Sequence, residues 1–266
     1  MRRLGSIWAV AVVAIGLVAT GCGSSGSGSK VKATTTTAKL TGSITVSAAA
    51  SLTEAFKTIG DSFKAANPGT NVTFNFGSSG TLATQIQQGA PADSFASADQ
   101  DNMNKLVAAN LVDGTPTVFA KNKLVIVTKP GNPKNVTGLA DLPKLGVVSL
   151  CGATVPCGKY AAQILQMAGV TLPASKITRG QDVKATLAAV TNGDADAAIV
   201  YVSDAKTAGS AVATVTIPDA QNAIATYPIA TLKASSNKAA SRAFIAYVAS
   251  PRGEGVLQGD GFLPPS

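Results

Sequence analysis

The pattern of apolar and polar positions after residue 43 predicts strands that alternate with helices. Apolar residues recur at helical spacing after Ser51, and they alternate with polar residues between Val72 and Phe76. The predicted strands cover 44–46, 72–76, 124–128, 146–150, 197–202 and 224–232, and the predicted helices cover 52–63, 160–167, 183–190 and 239–249, with another beginning at Leu82. Strands that alternate with helices are typical of an α/β fold with largely parallel sheets.

Residues 1–22 carry a different pattern, which is typical of a secretory signal. Two arginines precede a run of apolar residues from Ile7 to Ala19, and this run is short for a membrane-spanning helix. The run leads into Ala-Thr-Gly-Cys, which ends at Cys22 and resembles a bacterial lipobox. We therefore expect cleavage before Cys22 and lipidation of its thiol, with an ordinary signal peptide as the alternative.

The next segment, residues 23–42, is rich in Gly, Ser and Thr and has no apolar periodicity. Such a composition predicts a flexible tether, which reaches on the order of 25 Å. A tether between a lipid and a globular body holds that body close to a membrane surface. We expect an extracytoplasmic protein that is anchored to the cell membrane by its N-terminal lipid.

The composition excludes several classes of function. The chain has no histidine, which rules out Ser-His-Asp triads, Cys-His dyads and histidine metal sites. Its 22 basic and 14 acidic residues give a net charge of +8, but the charges are scattered singly, so nucleic-acid binding is not predicted. An enzyme would have only Ser-Lys or carboxylate chemistry left, so we expect a binding protein.

Two cysteines remain after the lipobox, Cys151 and Cys157. In an exported chain, a pair this close in sequence predicts a disulfide. Two reduced thiols are the alternative.

Four junctions place hydroxyl or backbone N–H groups at the starts of predicted helices. They lie at Ser51, at Ser78-Ser79, at Pro156-Cys157 and at Asp182-Val183. Helix N-termini offer unpaired N–H groups to anions, and enough neutral donors can hold a tetrahedral dianion without a counter-charge. Ser51 also fits a capping box with Glu54, so a purely structural role is the alternative there. Asp93 and Asp99 are expected to cap helices or fix a turn, because a carboxylate repels a dianion.

The segments around these junctions resemble the periplasmic molybdate-binding proteins of ABC transporters, over about residues 44–262. The resemblance rests on TVSAAASLT at 45–53, SSGTLATQI at 78–86 and GAPADSFASAD at 89–99, with shorter matches at 155–161, 181–184 and 199–205. It implies a two-lobed type II periplasmic binding protein fold. Each lobe would be a mostly parallel sheet flanked by helices, with the ligand in the interlobe cleft.

The resemblance also implies the limits of the two lobes. Lobe 1 would be discontinuous and comprise residues 43–122 plus 226–266, and lobe 2 would comprise residues 123–225. The strands that cross near Lys123 and Ala225 would form the hinge.

Carried over residue by residue, the resemblance implies five contacts to the oxyanion. Ser51 and Ser79 would donate hydroxyl and backbone N–H bonds, Cys157 and Val183 backbone N–H bonds, and Tyr201 its phenol. Family members carry Ala where this chain has Cys157, and a backbone contact tolerates that change. A disulfide at this position would preorganise the loop. Molybdenum would be present only as the bound oxyanion, with no direct protein ligand to the metal, and no cofactor is expected.

The function that the resemblance implies is that of an extracytoplasmic solute-binding lipoprotein. It would capture molybdate, and tungstate because that oxyanion has nearly the same size and charge, and deliver it to the membrane permease of an ABC importer. We expect a monomer that does not bind nucleic acid. The alternatives are a binding protein for another tetrahedral oxyanion such as sulfate or phosphate, and a ligand-sensing lipoprotein without a transport role.

Overall fold

A computed structural model describes residues 39–266. The predicted signal peptide, the predicted lipidation site at Cys22 and most of the predicted tether lie outside the described residues. Between residues 39 and 266, no helix is long and apolar enough to cross a membrane.

Strands and helices alternate along this part of the chain, which confirms the predicted α/β class. The strands are β1 (Gly42–Ala49), β2 (Thr70–Gly77), β3 (Ser94–Ala96), β4 (Val112–Thr128), β5 (Val148–Cys151), β6 (Ile177–Gly180), β7 (Ala197–Tyr201), β8 (Ala213–Thr216) and β9 (Ile224–Leu232). The helices are α1 (Thr53–Ala66), α2 (Ser79–Gln87), α3 (Gln100–Ala108), α4 (Pro156–Met167), α5 (Val183–Thr191), α6 (Val202–Ala208), α7 (Lys238–Val248) and α8 (Pro251–Gly259).

The strands form one sheet in the order β2-β1-β3-β9-β4-β7-β5-β6, and β8 pairs with the edge of β4 opposite to β7. β1 runs parallel to β2 and β3, and β5 runs parallel to β6 and β7. β4 and β9 are antiparallel to all their neighbours. The sequence predicts largely parallel sheets, but only four of the eight strand pairs are parallel. The four pairs that involve β4 or β9 are antiparallel.

The long strand β4 changes its partner along its length. Residues 112–123 pair with β9, whereas residues 124–128 pair with β7 and β8. The predicted hinge positions lie at this change, since Ala225 pairs with Asn122 and Lys123 pairs with Ile224. The division into lobes 43–122 plus 226–266 and 123–225 stays a prediction.

Aromatic packing fixes helix α1 against strands β2 and β4 and helix α7. The ring of Phe56 on α1 lies 5.9 Å from those of Phe74 and Phe244 and 5.7 Å from that of Phe119. The buried positions of α1 are the apolar positions that predicted the helix. Each such side chain stabilises the fold by roughly 1.5–3 kcal/mol when fully buried. The strand ends that carry the polar junctions therefore project from a rigid core.

Candidate functional site

A small cavity lies where the starts of three helices meet. Its volume, traced by the centre of a water-sized sphere, is about 20 Å³, whereas a single water needs roughly 10–15 Å³. It is lined by Ala49, Ala50, Ser51, Gly77, Ser78, Ser79, Ala98, Val155, Pro156, Cys157, Asp182, Val183 and Tyr201. The cavity thus suits a ligand of a few atoms, and its wall includes all five residues that the sequence predicts as ligand contacts.

Helices α2, α4 and α5 each begin at this cavity. The first N–H groups of a helix have no acceptor within the helix, and the helix dipole makes this end positive. In α4, the N–H groups of Gly158 and Lys159 both donate to the Val155 carbonyl at 3.0 Å, which leaves the N–H of Cys157. The arrangement is suited to an anion.

Helix α5 has a similar start. The Asp182 carboxylate caps it by accepting the Ala185 N–H at 2.9 Å. The N–H of Val183, at the first helical position, is thus left on the cavity side. Asp182 is occupied as a cap, and no Lys or Arg belongs to the part of the wall that the structure describes. Apart from the carboxylate of Asp182, the polar groups on the described wall are neutral.

Ser79 opens α2 and is 1% exposed. The capping role belongs to its neighbour, because the Ser78 hydroxyl accepts the Thr81 N–H at 3.2 Å. Ser79 Oγ instead accepts the Ala98 N–H at 2.9 Å. Since this bond uses a lone pair, the hydroxyl hydrogen of Ser79 is left for the cavity.

The alternative role of Ser51, as the cap of a helix, is wrong. Ser51 lies within a 3₁₀ turn, Ala50–Leu52, which runs directly into α1 at Thr53, and no side chain caps α1. Because the turn and the helix are continuous, Ser51 has no free helix start to cap. Its hydroxyl lies 2.9 Å from the hydroxyl of Tyr227 on β9.

Tyr201 is the last residue of β7 and is 1% exposed. The predicted strand 197–202 is therefore one residue too long, because Val202 opens α6. The phenol hydroxyl of Tyr201 has no hydrogen-bond partner among residues 39–266. Burial raises the pKa of this phenol well above its usual value, so it stays a neutral donor. A buried hydroxyl without a partner costs about 1–3 kcal/mol, which a ligand oxygen would recover.

Asp93 and Asp99 have the structural roles that the sequence predicts. Asp99 caps α3 by accepting the Asn102 N–H at 3.0 Å. Asp93 accepts the Thr45 N–H at 2.7 Å and the Ser235 hydroxyl at 2.6 Å. Neither residue belongs to the cavity wall.

An ion pair joins α4 to α3 beside the cavity. Lys159 Nζ lies 3.0 Å from Asp101 Oδ2 and 3.5 Å from Asp99 Oδ2, and the lysine side chain is 37% exposed. Helix α4 follows β5 and helix α3 follows β3, and these two strands lie on opposite sides of β9 and β4 in the sheet. The ion pair therefore bridges the two sides of the sheet.

The predicted disulfide between Cys151 and Cys157 is present, with Cα atoms 5.8 Å apart. It ties the end of β5 to the first turn of α4. A Cβ on Gly158 would lie 1.9 Å from the Gly152 carbonyl oxygen, so only glycine permits this close approach. The cross-link and the glycine together fix the loop that presents the Cys157 N–H.

Two other features next to the site are not predicted by the sequence. One is Tyr227. The other is the ion pair of Lys184 and the fully buried Asp204, whose Nζ and Oδ1 atoms lie 3.3 Å apart. Burial raises the pKa of Asp204 to about 6, although Lys184 lowers it. The pair joins the residue after Val183 to the first turn of α6, which follows Tyr201, so it ties together two elements of the cavity wall.

Comparison with known proteins gives a consistent result. A family model for bacterial extracellular solute-binding proteins matches residues 44–263. The molybdate-binding protein ModA of Mycobacterium tuberculosis is 44% identical over 224 residues, which cover 84% of this chain and 85% of that protein. ModA of Escherichia coli is 35% identical over 232 residues, which cover 83% of this chain and 89% of that protein.

A solved structure supports the fold. The periplasmic molybdate-binding protein of Azotobacter vinelandii aligns with a TM-score of 0.75 at 22% sequence identity. The alignment covers 84% of this chain and 100% of that chain. At this identity the likeness shows a shared periplasmic binding protein fold.

Proposed function

Since this chain belongs to the bacterial extracellular solute-binding proteins, among the molybdate-binding proteins of ABC transporters, we propose that it binds molybdate outside the cytoplasm. It then delivers the oxyanion to the membrane permease of an ABC importer. Proteins of this family bind and carry solutes, so the chain is not an enzyme and needs no cofactor.

One observation carries the proposal: neutral donors on buried residues surround one small cavity, and one of them, the Tyr201 hydroxyl, has no partner among the described residues. The proposed contacts to the oxyanion are Ser51, Ser79, Cys157, Val183 and Tyr201. Hydrogen bonds to a charged acceptor are about twice as strong as neutral ones. Five donors can therefore replace the hydration of a dianion without a cation.

Delivery follows from closure of two lobes, 43–122 plus 226–266 and 123–225, around the ligand. The site draws Ser51 and Ser79 from the first proposed lobe and Cys157, Val183 and Tyr201 from the second. A ligand that contacts both lobes favours the closed form, because the open form makes only part of these contacts. The permease would recognise the closed form.

Three finer points belong to the same proposal. Tungstate binds as well, since its charge and shape match those of molybdate. The protein is proposed to act as a monomer, because one copy of the chain supplies all five proposed contacts to the oxyanion. The lipobox-like sequence at Cys22 and the Gly/Ser/Thr-rich segment after it support a lipid anchor.

Calorimetric titration of the purified full chain in mild detergent, with molybdate, tungstate, sulfate and phosphate in turn, tests the proposal. We expect one-to-one binding of molybdate and tungstate and much weaker binding of sulfate and phosphate. Binding of sulfate alone would keep an oxyanion carrier and overturn the substrate. No heat with any of the four would overturn an oxyanion function.

The lipid anchor is tested separately. Mass spectrometry of the protein extracted from membranes should show an acylated Cys22 at the N-terminus. The Cys22→Ala variant should be absent from the membrane fraction and present in the soluble fraction. Its retention in the membrane fraction would contradict the anchor.

A further inference from the structure

We propose that Tyr227 determines the specificity of this site, because it forces Ser51 to act as a hydrogen-bond donor to the ligand. The site would then select tetrahedral dianions that carry no proton. This inference rests on the proposed function and names the class of substrate that the site accepts.

Tyr227 is fully buried in β9, and aromatic contacts fix its ring. The ring of Phe262 lies 5.3 Å away, that of Tyr201 6.0 Å and that of Phe119 6.3 Å, and all three meet it nearly edge to face. A ring held on several sides cannot swing its hydroxyl away from Ser51. The 2.9 Å distance between the two hydroxyl oxygens is therefore built into the core.

The direction of this hydrogen bond follows from the chemistry of the two groups. A phenol is a stronger donor than an aliphatic hydroxyl, so Tyr227 donates and Ser51 Oγ accepts. Burial keeps the phenol protonated by raising its pKa well above the usual value, although Ser51 lowers it. Ser51 then has one hydrogen left, and Ser51 lines the cavity.

Ser79 is held in the same way by a different donor. The Ala98 N–H donates to its Oγ at 2.9 Å, so its own hydrogen is also left for the cavity. Each serine oxygen thus accepts a hydrogen bond from the protein, and each serine hydroxyl is left to donate a hydrogen bond to the ligand. Tyr201 adds a third hydroxyl, which has no acceptor among the described residues.

A ligand that carries a proton meets an unfavourable site. Its O–H needs an acceptor, but the hydroxyls of Ser51 and Ser79 present hydrogens to the ligand. The carboxylate on the described wall, Asp182, is the cap of α5, where Oδ1 accepts the Ala185 N–H. Molybdate, tungstate and sulfate are unprotonated at neutral pH, whereas phosphate carries one or two protons. The two serine hydroxyls therefore favour a ligand that carries no proton, and this preference is independent of ligand size.

The test compares Tyr227→Phe with Tyr247→Phe. Tyr247 is the control, because its hydroxyl is buried like that of Tyr227 but has no partner among residues 39–266, and it lies on α7 outside the cavity wall. Molybdate and phosphate affinities are measured by calorimetry on the full chain at pH 7. We expect Tyr227→Phe to weaken molybdate binding about tenfold and to weaken phosphate binding less or strengthen it. Tyr247→Phe should change neither affinity.

A double-mutant cycle shows whether Tyr227 acts through Ser51. In a Ser51→Ala background, Tyr227→Phe should have no further effect on molybdate binding. Independent effects of the two substitutions would overturn the inference. If Tyr227→Phe does not fold, Ser51→Ala alone must lower the ratio of molybdate to phosphate affinity, because it removes the imposed donor. An unchanged ratio would overturn the inference.

The outcome for the unmodified chain separates this inference from the proposed function. If it binds molybdate and Tyr227→Phe leaves the molybdate-to-phosphate ratio unchanged, only the role of Tyr227 is wrong. If it does not bind molybdate, the proposed function is wrong and this inference fails with it.

Discussion

The rings of Tyr201 and Tyr227 meet edge to face, with centroids 6.0 Å apart and planes at 71°. Their hydroxyls are in different situations. That of Tyr227 is bonded to Ser51, whereas that of Tyr201 has no partner among residues 39–266. One phenol therefore organises the cavity wall, and the other is available to a ligand.

Tyr201→Phe should weaken molybdate binding without weakening the fold. A hydrogen bond to a charged group contributes about 1.5–3 kcal/mol, so we expect a loss of about 10- to 100-fold in affinity. The unfolding temperature of the ligand-free protein should stay the same or rise, because the substitution removes a buried hydroxyl that has no partner. Titration and thermal unfolding of the same sample check both points. A lower unfolding temperature with unchanged affinity would show that Tyr201 is a core residue only.

Loss of the disulfide should lower both stability and affinity. Replacing Cys151 and Cys157 by alanine should reduce the free energy of unfolding by roughly 2 kcal/mol, because a short cross-linked loop becomes free in the unfolded chain. Molybdate binding should weaken as well, since the loop presents the Cys157 N–H. Urea unfolding and calorimetry measure the two effects. In protein purified without reductant, neither cysteine should react with a thiol reagent, and reaction of both would contradict the cross-link.

Lys159→Gln should weaken molybdate binding slightly and in a salt-dependent way. The ion pair with Asp101 joins two helices beside the cavity, but it is partly exposed, and such pairs contribute about 0.2–1 kcal/mol. We therefore expect a loss of less than about sixfold at low salt, and a smaller loss in high salt. Lys144→Gln is the control, because Lys144 pairs with Asp141 within one turn. An equal effect of both substitutions would show that the bridge between α4 and α3 has no special role.

Asp204 should make stability fall as pH rises. Its pKa is about 6 in the folded protein, above the usual 3.8, chiefly because of burial. The folded state therefore binds a proton that the unfolded state has already released, so this contribution is complete below pH 4 and is lost as pH rises through 6. A pKa shift of this size corresponds to a change of roughly 3 kcal/mol in the free energy of unfolding.

Asp204→Asn should remove this part of the pH profile. Urea unfolding between pH 4 and pH 7 gives the difference from the unmodified protein. Asp219→Asn serves as the control, because Asp219 is 83% exposed and should leave the profile unchanged. Parallel profiles for the unmodified protein and Asp204→Asn would contradict the prediction.

The sequence predicted those elements whose apolar pattern is strong. The central helix α1 and the buried strands β7 and β9 follow directly from runs or periodicities of apolar residues. Helix α8 was not predicted, because three glycines among its nine residues weaken the helical signal. The first part of β4 was not predicted either, since Pro116 and a run of half-exposed positions interrupt its alternation.

The sequence predicts those parts of the candidate site that depend only on short segments of the chain. The junctions at Ser79, Cys157 and Val183 are the starts of helices, and this can be inferred from short segments. The contact of Ser51 with Tyr227 spans 176 residues, so no local pattern indicates it. For that reason a capping box was the structural alternative for Ser51, whereas the structure has a tertiary hydrogen bond there.

The position of β9 between β3 and β4 has a consequence for how the chain folds. A nascent chain that has reached residue 128 already contains both flanking strands, but they cannot join, because the strand that separates them ends at Leu232. The sheet is completed only when most of the polypeptide has been synthesised. Until then the growing chain stays open, which is the state in which a polypeptide can be threaded through a narrow channel.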